Sequence, residues 1–331
     1  MLGCKRYAKQ LGAGLVLVLL VAAGKSGFDP DASLSKTLQS WGATPPSHFI
    51  GDPDPEQVAI GRQLVNQGYT TKKGRKSKRI SKYFVCTDCH NLDKEFFAIG
   101  SPNPVGRFEV AQSEGRDYLP GSSFYGMVNQ PSWYNGDYEK KYGSLVVPAR
   151  NNLREAIQLC ADECSQGRRL EVWEEEAILH YLWTLELKLS DLLIPPRIQT
   201  QMDKASPKEK LELIAPYLPK GNGATFATSA YFSKEELVGT PTDQGKYIYE
   251  HGCQTCHSPS GPAKFKLHNP TGKQILKKHL YDFTSDYNLF NATRYGTHPI
   301  PGEKAYMPQY TLEKMSDDQL KSLVAFILET E

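Results

Sequence analysis

Two five-residue runs, Cys86-Thr87-Asp88-Cys89-His90 and Cys253-Gln254-Thr255-Cys256-His257, limit what this chain can fold into more than any other feature. In a C-x-x-C-H run both sulfurs can bond covalently to a porphyrin while the adjacent imidazole reaches its iron. A thiol redox pair or half of a zinc site is the blander reading of such spacing. Two copies in one chain, each ending in His, point instead to two covalently bound haem c groups. Seven cysteines are present. With four of them in the two runs and Cys4 near the start, Cys160 and Cys164 remain to be explained.

Each run is preceded by a helix signature and followed by an amphipathic stretch. Asp54-Pro55 is an N-cap and first-turn pair leading into Val58, Gly61 and Val65. Thr242 can cap a matching helix through Gly245, Ile248 and Tyr249. In both, a glycine faces the side where another helix can approach closely. Trp173, Ala177, Ile178, Tyr181, Leu182 and Leu185 form an apolar stripe behind Glu174–Glu176, and His180 in it reads as a packed or surface histidine. Ser316 and Gln319 form a capping-box pair before Leu320, Leu323, Val324, Ile327 and Leu328. Helix, C-x-x-C-H run and closing helix thus occur twice. The arrangement resembles two class I cytochrome c folds in tandem, an all-α architecture joined by an irregular linker. Expected boundaries are 24–190 for the amino-terminal unit, 191–240 for the linker and 241–331 for the carboxy-terminal unit.

The units differ in length. Gly61 precedes Cys86 by 25 positions and Gly245 precedes Cys253 by 8, so the first carries an insertion. That insertion holds Lys72, Lys73, Arg75, Lys76, Lys78 and Arg79, either a solvated loop or a positive collar for an anion or acidic partner. The linker holds Pro195, Pro196, Pro207, Pro216, Pro219, Gly221 and Gly223, with a short helix expected over 208–214.

At the amino terminus Lys5, Arg6 and Lys9 precede an apolar run from Leu11 to Val21, and Val21-Ala22-Ala23 offers small residues for cleavage. Residues 1–23 therefore read as an export signal, which would discard Cys4 and leave a periplasmic chain with no transmembrane segment. The formal net charge of +2 gives no reason to expect a nucleic-acid partner.

An iron held by one imidazole needs a ligand on its other face. For the second run, ending in His257, the candidate is Met307, followed by Pro308 just before the last helix. For the first, ending in His90, Met127 and Cys160 are both candidates; a thiolate would push electron density onto the metal and lower its potential, whereas a thioether raises it. Here "IQLCADECSQGRRL" followed by "EVWEEEAILHYLWTLEL" resembles dihaem thiosulfate dehydrogenases and the large subunit of the related sulfur-oxidising SoxAX cytochrome. Their stretch reads I-x-x-C, then G and L, then a helix rich in Glu and aromatics. The resemblance maps the family's ligand cysteine onto Cys160 and its remaining landmarks onto Cys86–His90, Cys253–His257 and Met307. Two features depart from the pattern: Cys164 is additional, and Glu163 stands where an arginine often occurs.

The resemblance implies oxidation of thiosulfate, or a related sulfur anion, to tetrathionate at Cys160. Electrons would leave through a His/Met haem to an external acceptor such as a small cytochrome c. Arg168, Arg169 or the basic insertion are candidates to offset substrate charge, and "YNGDYEKKYG" is a candidate to line the cavity. Cys164 is open to three readings: a free thiol beside the ligand, half of a strained disulfide with Cys160, or a partner in exchange. Other functions also stand open. A simple electron shuttle would favour Met127 as ligand. A dihaem peroxidase would need His48 or His180 at the iron. Tetrathionate reduction, or loading sulfur onto a carrier, would use the same site.

Overall fold

A computed structural model describes residues 29–72, 74–96, 103–221, 223–226, 232–258, 261, 289–296 and 307–329. The expected export signal, Cys4 and Lys73 lie outside these residues. The described chain is mostly helical with long irregular connections; its two strands form one short hairpin.

Asp54 starts α2 (Pro55–Gln67) as expected, its carboxylate accepting from the Glu56 and Gln57 amides. The last turn ends at Gly68 in the left-handed conformation, φ 71°. α2 crosses α7 (Val172–Trp183) at Gly61, where any Cβ would collide with the Ala177 carbonyl. His180 of α7 accepts the Asp54 amide at 2.9 Å, so it ties the two helices and leaves its other nitrogen protonated.

The carboxy-terminal half repeats the device. α11 (Asp243–Ile248) crosses α13 (Asp317–Glu329) at Gly245, where a Cβ would collide with the Ser322 carbonyl. Ser316 and Gln319 form the expected reciprocal cap. Thr242 differs from expectation: its hydroxyl caps nothing and instead donates to Glu329 at 3.1 Å. The Gly245 amide is taken by Ser322 Oγ, which already donates to the Pro241 carbonyl.

Three apolar cores result. The first joins α2, α6 (Leu153–Leu159) and α7 around Leu64, Val65, Leu153, Ile178, Leu179 and Leu182. The second joins α11, α12 (Leu289–Tyr295) and α13 around Ile248, Phe290, Leu320 and Val324, and it also takes in Phe108, Ala111 and Tyr118. α3 (Pro104–Glu114), expected in the amino-terminal unit, therefore packs against carboxy-terminal helices. Its apolar stripe is satisfied by whichever apolar face lies nearest, and chain order does not limit that choice.

The linker region is more regular than an irregular connector. α8 (Pro196–Lys204) and α9 (Pro207–Ile214) supply Met202 and Ile214 to a third core with Leu34, Leu187, Leu189, Leu192 and Ile194. α1 (Leu34–Ser40) joins it, held by an amide bond from Leu34 to the Leu187 carbonyl at 2.9 Å. In the basic insertion, β1 (Thr71–Lys72) and β2 (Arg75–Lys76) pair antiparallel around Gly74. Among the described residues no helix is long and apolar enough to cross a membrane.

Candidate functional site

Both C-x-x-C-H runs fold into the same tight turn. The amides of Cys89 and His90 donate to the Cys86 carbonyl at 3.2 and 3.1 Å, and those of Cys256 and His257 donate to Cys253 at 3.2 and 2.8 Å. Two residues between the cysteines thus make one helical turn that brings both thiols to one edge with the imidazole beside them. In the first run, Asp88 accepts the Val85 amide and closes the turn from the other side.

A six-residue strap, Asp117–Ser122, touches both turns. Tyr118 donates its amide to the His251 carbonyl at 2.9 Å, and its own carbonyl faces Gly252, immediately before Cys253. Three residues later the Gly121 amide donates to the Cys89 carbonyl at 2.8 Å. A Cβ at Gly121 would stand 2.6 Å from His90 Nδ1, so only glycine lets the strap lie against the imidazole. Cys256 lies within electrostatic reach of Cys89. The two turns, distant in sequence, are neighbours in space.

His90 is buried and stacks on Phe124, ring centroids 4.5 Å apart. Its Nδ1 lies 2.6 Å from the Ser122 carbonyl. A carbonyl cannot donate, so Nδ1 carries the proton and Nε2 keeps its lone pair for a metal. Burial lowers the imidazole's pKa, favouring that neutral form.

His90 lines a cavity with about 280 Å³ of room for the centres of water molecules. One wall is a helix face: Leu153, Ala156 and Ile157 of α6, then Cys160 and Cys164 of the π-helical segment Cys160–Cys164 that continues it. Such π turns inside helices often mark functional sites. Cys86, Cys89 and Met127 line the cavity too, so the structure brings together the first attachment run and both candidate sixth ligands.

No disulfide joins Cys160 to Cys164 in this structure. Cys164 donates to Tyr142 Oη at 3.3 Å and meets Tyr134 Oη at 3.6 Å. Its hydrogen bond with Cys160 and their common burial push the Cys160 thiol well above its ordinary range. A thiolate there needs a positive charge beside it, as a coordinated metal provides.

Tyr134, Tyr138 and Tyr142, spaced by four in the "YNGDYEKKYG" stretch, all line the cavity. Lys141 lies behind them, donating to the Tyr295 carbonyl at 2.8 Å and to Gln309 at 2.9 Å. Burial lowers its ammonium to about 8, opposed by the Cys164 charge. Sequence gave no means of choosing Lys141 from its neighbours.

Of the proposed charge-offsetting residues, Arg168 is committed elsewhere. It grips buried Glu174 through two bonds of 2.7 and 2.6 Å and donates to the carbonyls of Lys78 and Arg79. Arg169 is exposed and pairs with Glu155 at 3.3 Å. Neither lines the cavity, and neither do His48 or His180. His48 is buried, hydrogen-bonded to the Val128 carbonyl and packed between Trp133 and Trp183. Lys76 and Arg79 flank the Tyr69 ring, which ties the basic hairpin to the end of α2.

A charged group that sequence missed lies at the cavity's far side. Glu95, Arg107 and Lys314 are all buried; Arg107 donates to Glu95 at 3.0 and 3.3 Å, and Glu95 also accepts from Asn91 and Ser123. Burial alone would raise Glu95, but the charges of Arg107 and Lys314 outweigh it and hold the carboxyl down to about 2.

At the second turn, Gly261 packs so tightly on Cys256 that a Cβ would collide with its carbonyl. Met307 is half-buried, and its carbonyl lies against Gly296, whose φ of 63° closes the turn after α12. Residues 262–288 and 297–306 lie outside the described residues.

Residues 240–327 match the family described as Cytochrome C oxidase, cbb3-type, subunit III. This segment is a cytochrome c domain. It contains the second C-x-x-C-H turn and Met307, and its family implies covalently bound haem c and haem-based electron transfer. The match does not extend to residues 1–239. Comparison with curated proteins gives no match.

The first cavity also fits such a group. An imidazole with its Nε2 free stands beside two thiols on one turn, within largely apolar walls. Two buried donors lining it, Trp133 Nε1 and Lys314 Nζ, have no hydrogen-bond partner among the described residues, as in a cavity shaped for a guest that bears acceptors.

Proposed function

We propose that the chain is a dihaem c-type cytochrome that oxidises thiosulfate to tetrathionate at the first cavity and passes electrons through the second site to an external acceptor. Cys86 and Cys89 would hold one haem covalently with His90 reaching its iron, and Cys253, Cys256, His257 and Met307 would hold the other. The observation that carries the reading is Cys160: it is placed by a π turn on the cavity wall that also presents the first attachment run, next to a second thiol. Bound c-type haem supplies one-electron acceptance at each site.

The chain's own residues account for the sulfur chemistry. Cys160 sulfur bonds to the sulfane sulfur of thiosulfate, giving a cysteine-bound thiosulfonate as two electrons leave. A second thiosulfate attacks that sulfane sulfur, the Cys160–sulfur bond breaks, and tetrathionate departs while the thiolate is restored. Cys164 hydrogen-bonds the reacting sulfur and is itself held by Tyr134 and Tyr142, while Lys141 supplies positive charge behind them. The same steps run backward give tetrathionate reduction. Met127 on the same cavity favours the second reading, a non-catalytic electron carrier whose first iron is held by His90 and Met127.

Low-temperature electron paramagnetic resonance on the oxidised holoprotein tests the choice. A low-spin thiolate signal that is lost in Cys160→Ser, with thiosulfate-dependent ferricyanide reduction lost alongside it, supports the enzyme. Two imidazole–thioether signals and no turnover establish the carrier.

A further inference from the structure

We propose that Lys314 holds an anionic substituent of the group bound in the first cavity, a carboxylate of the tetrapyrrole, so that the carboxy-terminal half of the chain completes the amino-terminal site. The inference rests on the reading above that this cavity holds a c-type haem.

Lys314 belongs by sequence to the carboxy-terminal unit, three residues before α13, yet its side chain lines the cavity of His90. Its backbone is pinned there: the Lys314 carbonyl accepts from Tyr118 Oη at 2.5 Å and from Arg107 at 3.2 Å. Glu95 and Arg107 neutralise each other through their two-bond contact. Lys314 Nζ stands 3.8 Å from Glu95 Oε2, an ion pair outside hydrogen-bonding distance, and makes no hydrogen bond among the described residues. One buried carboxylate therefore faces two buried cations; Glu313 adds a negative charge nearby, but its carboxylate is taken up by the Thr225 amide and hydroxyl at 3.0 and 2.6 Å. The Phe96 ring, 5.8 Å from Nζ, offsets the ammonium charge only in part.

A buried cation that shares its counter-ion with a better-placed arginine is costly unless a further anion meets it. Burial lowers the ammonium to about 8, against the pull of Glu95 and Glu313. Tyr118 does not supply the anion, since burial raises its phenol to about 12. The bound group must bring it. A tetrapyrrole carboxylate is fixed in the cavity at all times, whereas a free sulfur oxyanion would leave the charge bare between turnovers. Both are oxyanions, and the experiment separates them.

Full-length holoprotein is first weighed to count covalently bound haems, then titrated potentiometrically without substrate. One haem per chain overturns the reading above and this inference with it. With two haems, Lys314→Gln is expected to lower the potential of one and leave the other in place, because a nearby cation favours the reduced form. Lys314→Arg is expected to keep the wild-type value, and Glu95→Gln to shift the same haem in the opposite direction, a sign reversal that loss of packing would not produce. Two unmoved potentials in Lys314→Gln, or equal shifts of both, overturn the inference alone. Sulfite is the probe for the free anion: equal affinity for wild type and Lys314→Gln is expected. Sulfite binding weakened by roughly tenfold or more, with potentials unmoved, would assign the cation to substrate instead. If the Gln variant does not mature, Lys314→Arg and Glu95→Gln still decide: an unmoved potential in Glu95→Gln counts against the proposal.

Discussion

The two C-x-x-C-H regions share a skeleton and differ in what lines it. In each, an entering helix crosses a closing helix where a glycine meets a carbonyl, and each C-x-x-C-H run is one turn bonded back to its first cysteine. Around the first turn are two thiols, three tyrosines and a buried charge cluster; beside the second is a loop carrying Met307. The family match covers only the second. Backbone contacts that hold a haem-attachment turn tolerate little variation, whereas cavity walls can change wholesale without disturbing them. A shared framework therefore says little about whether both sites do the same chemistry.

The largest test of that contrast is Cys160→Ser, which should reduce thiosulfate oxidation on the order of 10³-fold or more while leaving two attached haems by mass. Met127→Leu should leave the thiolate signal in place; if it is the Leu variant that changes the spectrum, the first site is a carrier like the second. Next come Gly61→Ala and Gly245→Ala. Each drives a methyl into a backbone carbonyl and should cost about 3 kcal/mol in chemical denaturation. A large cost at one glycine and none at the other would break the claim of a common skeleton.

Glu95 gives a pH test specific to the first region. Its folded value, about 2, lies below the ordinary 4.5, so its stabilisation is fully present above the ordinary value and is lost as pH falls towards 2. That contribution is on the order of 2–3 kcal/mol. Acid unfolding of Glu95→Gln, compared with wild type, should lack this component. The smallest effects concern the helix starts. His180→Ala removes the acceptor of the Asp54 amide and should cost about 1 kcal/mol without altering the haem spectrum. Thr242→Ala, which loses only an exposed contact to Glu329, should change stability by less than about 0.5 kcal/mol.

Reading the sequence alone was enough for whatever depends on neighbours a few positions apart. The C-x-x-C-H turns as backbone features, the Asp54 cap, the Ser316–Gln319 box and the glycines at the helix crossings follow from short-range spacing, because hydrogen-bond rings and helix faces repeat every three to five residues. The family resemblance marked residues 134–143 as a candidate cavity lining without showing that its tyrosines face the cavity or which neighbouring lysine backs them.

Tertiary structure alone decided what meets across long separations. It gave α3 to the carboxy-terminal core, turned His180 into a helix cap, committed Arg168 to Glu174, and carried Lys314 to the cavity of His90. Nothing local distinguishes these residues, since an apolar stripe or a charge specifies what kind of partner it needs but not which one. The partner is settled only when the whole chain has packed, because burial then removes water as the alternative.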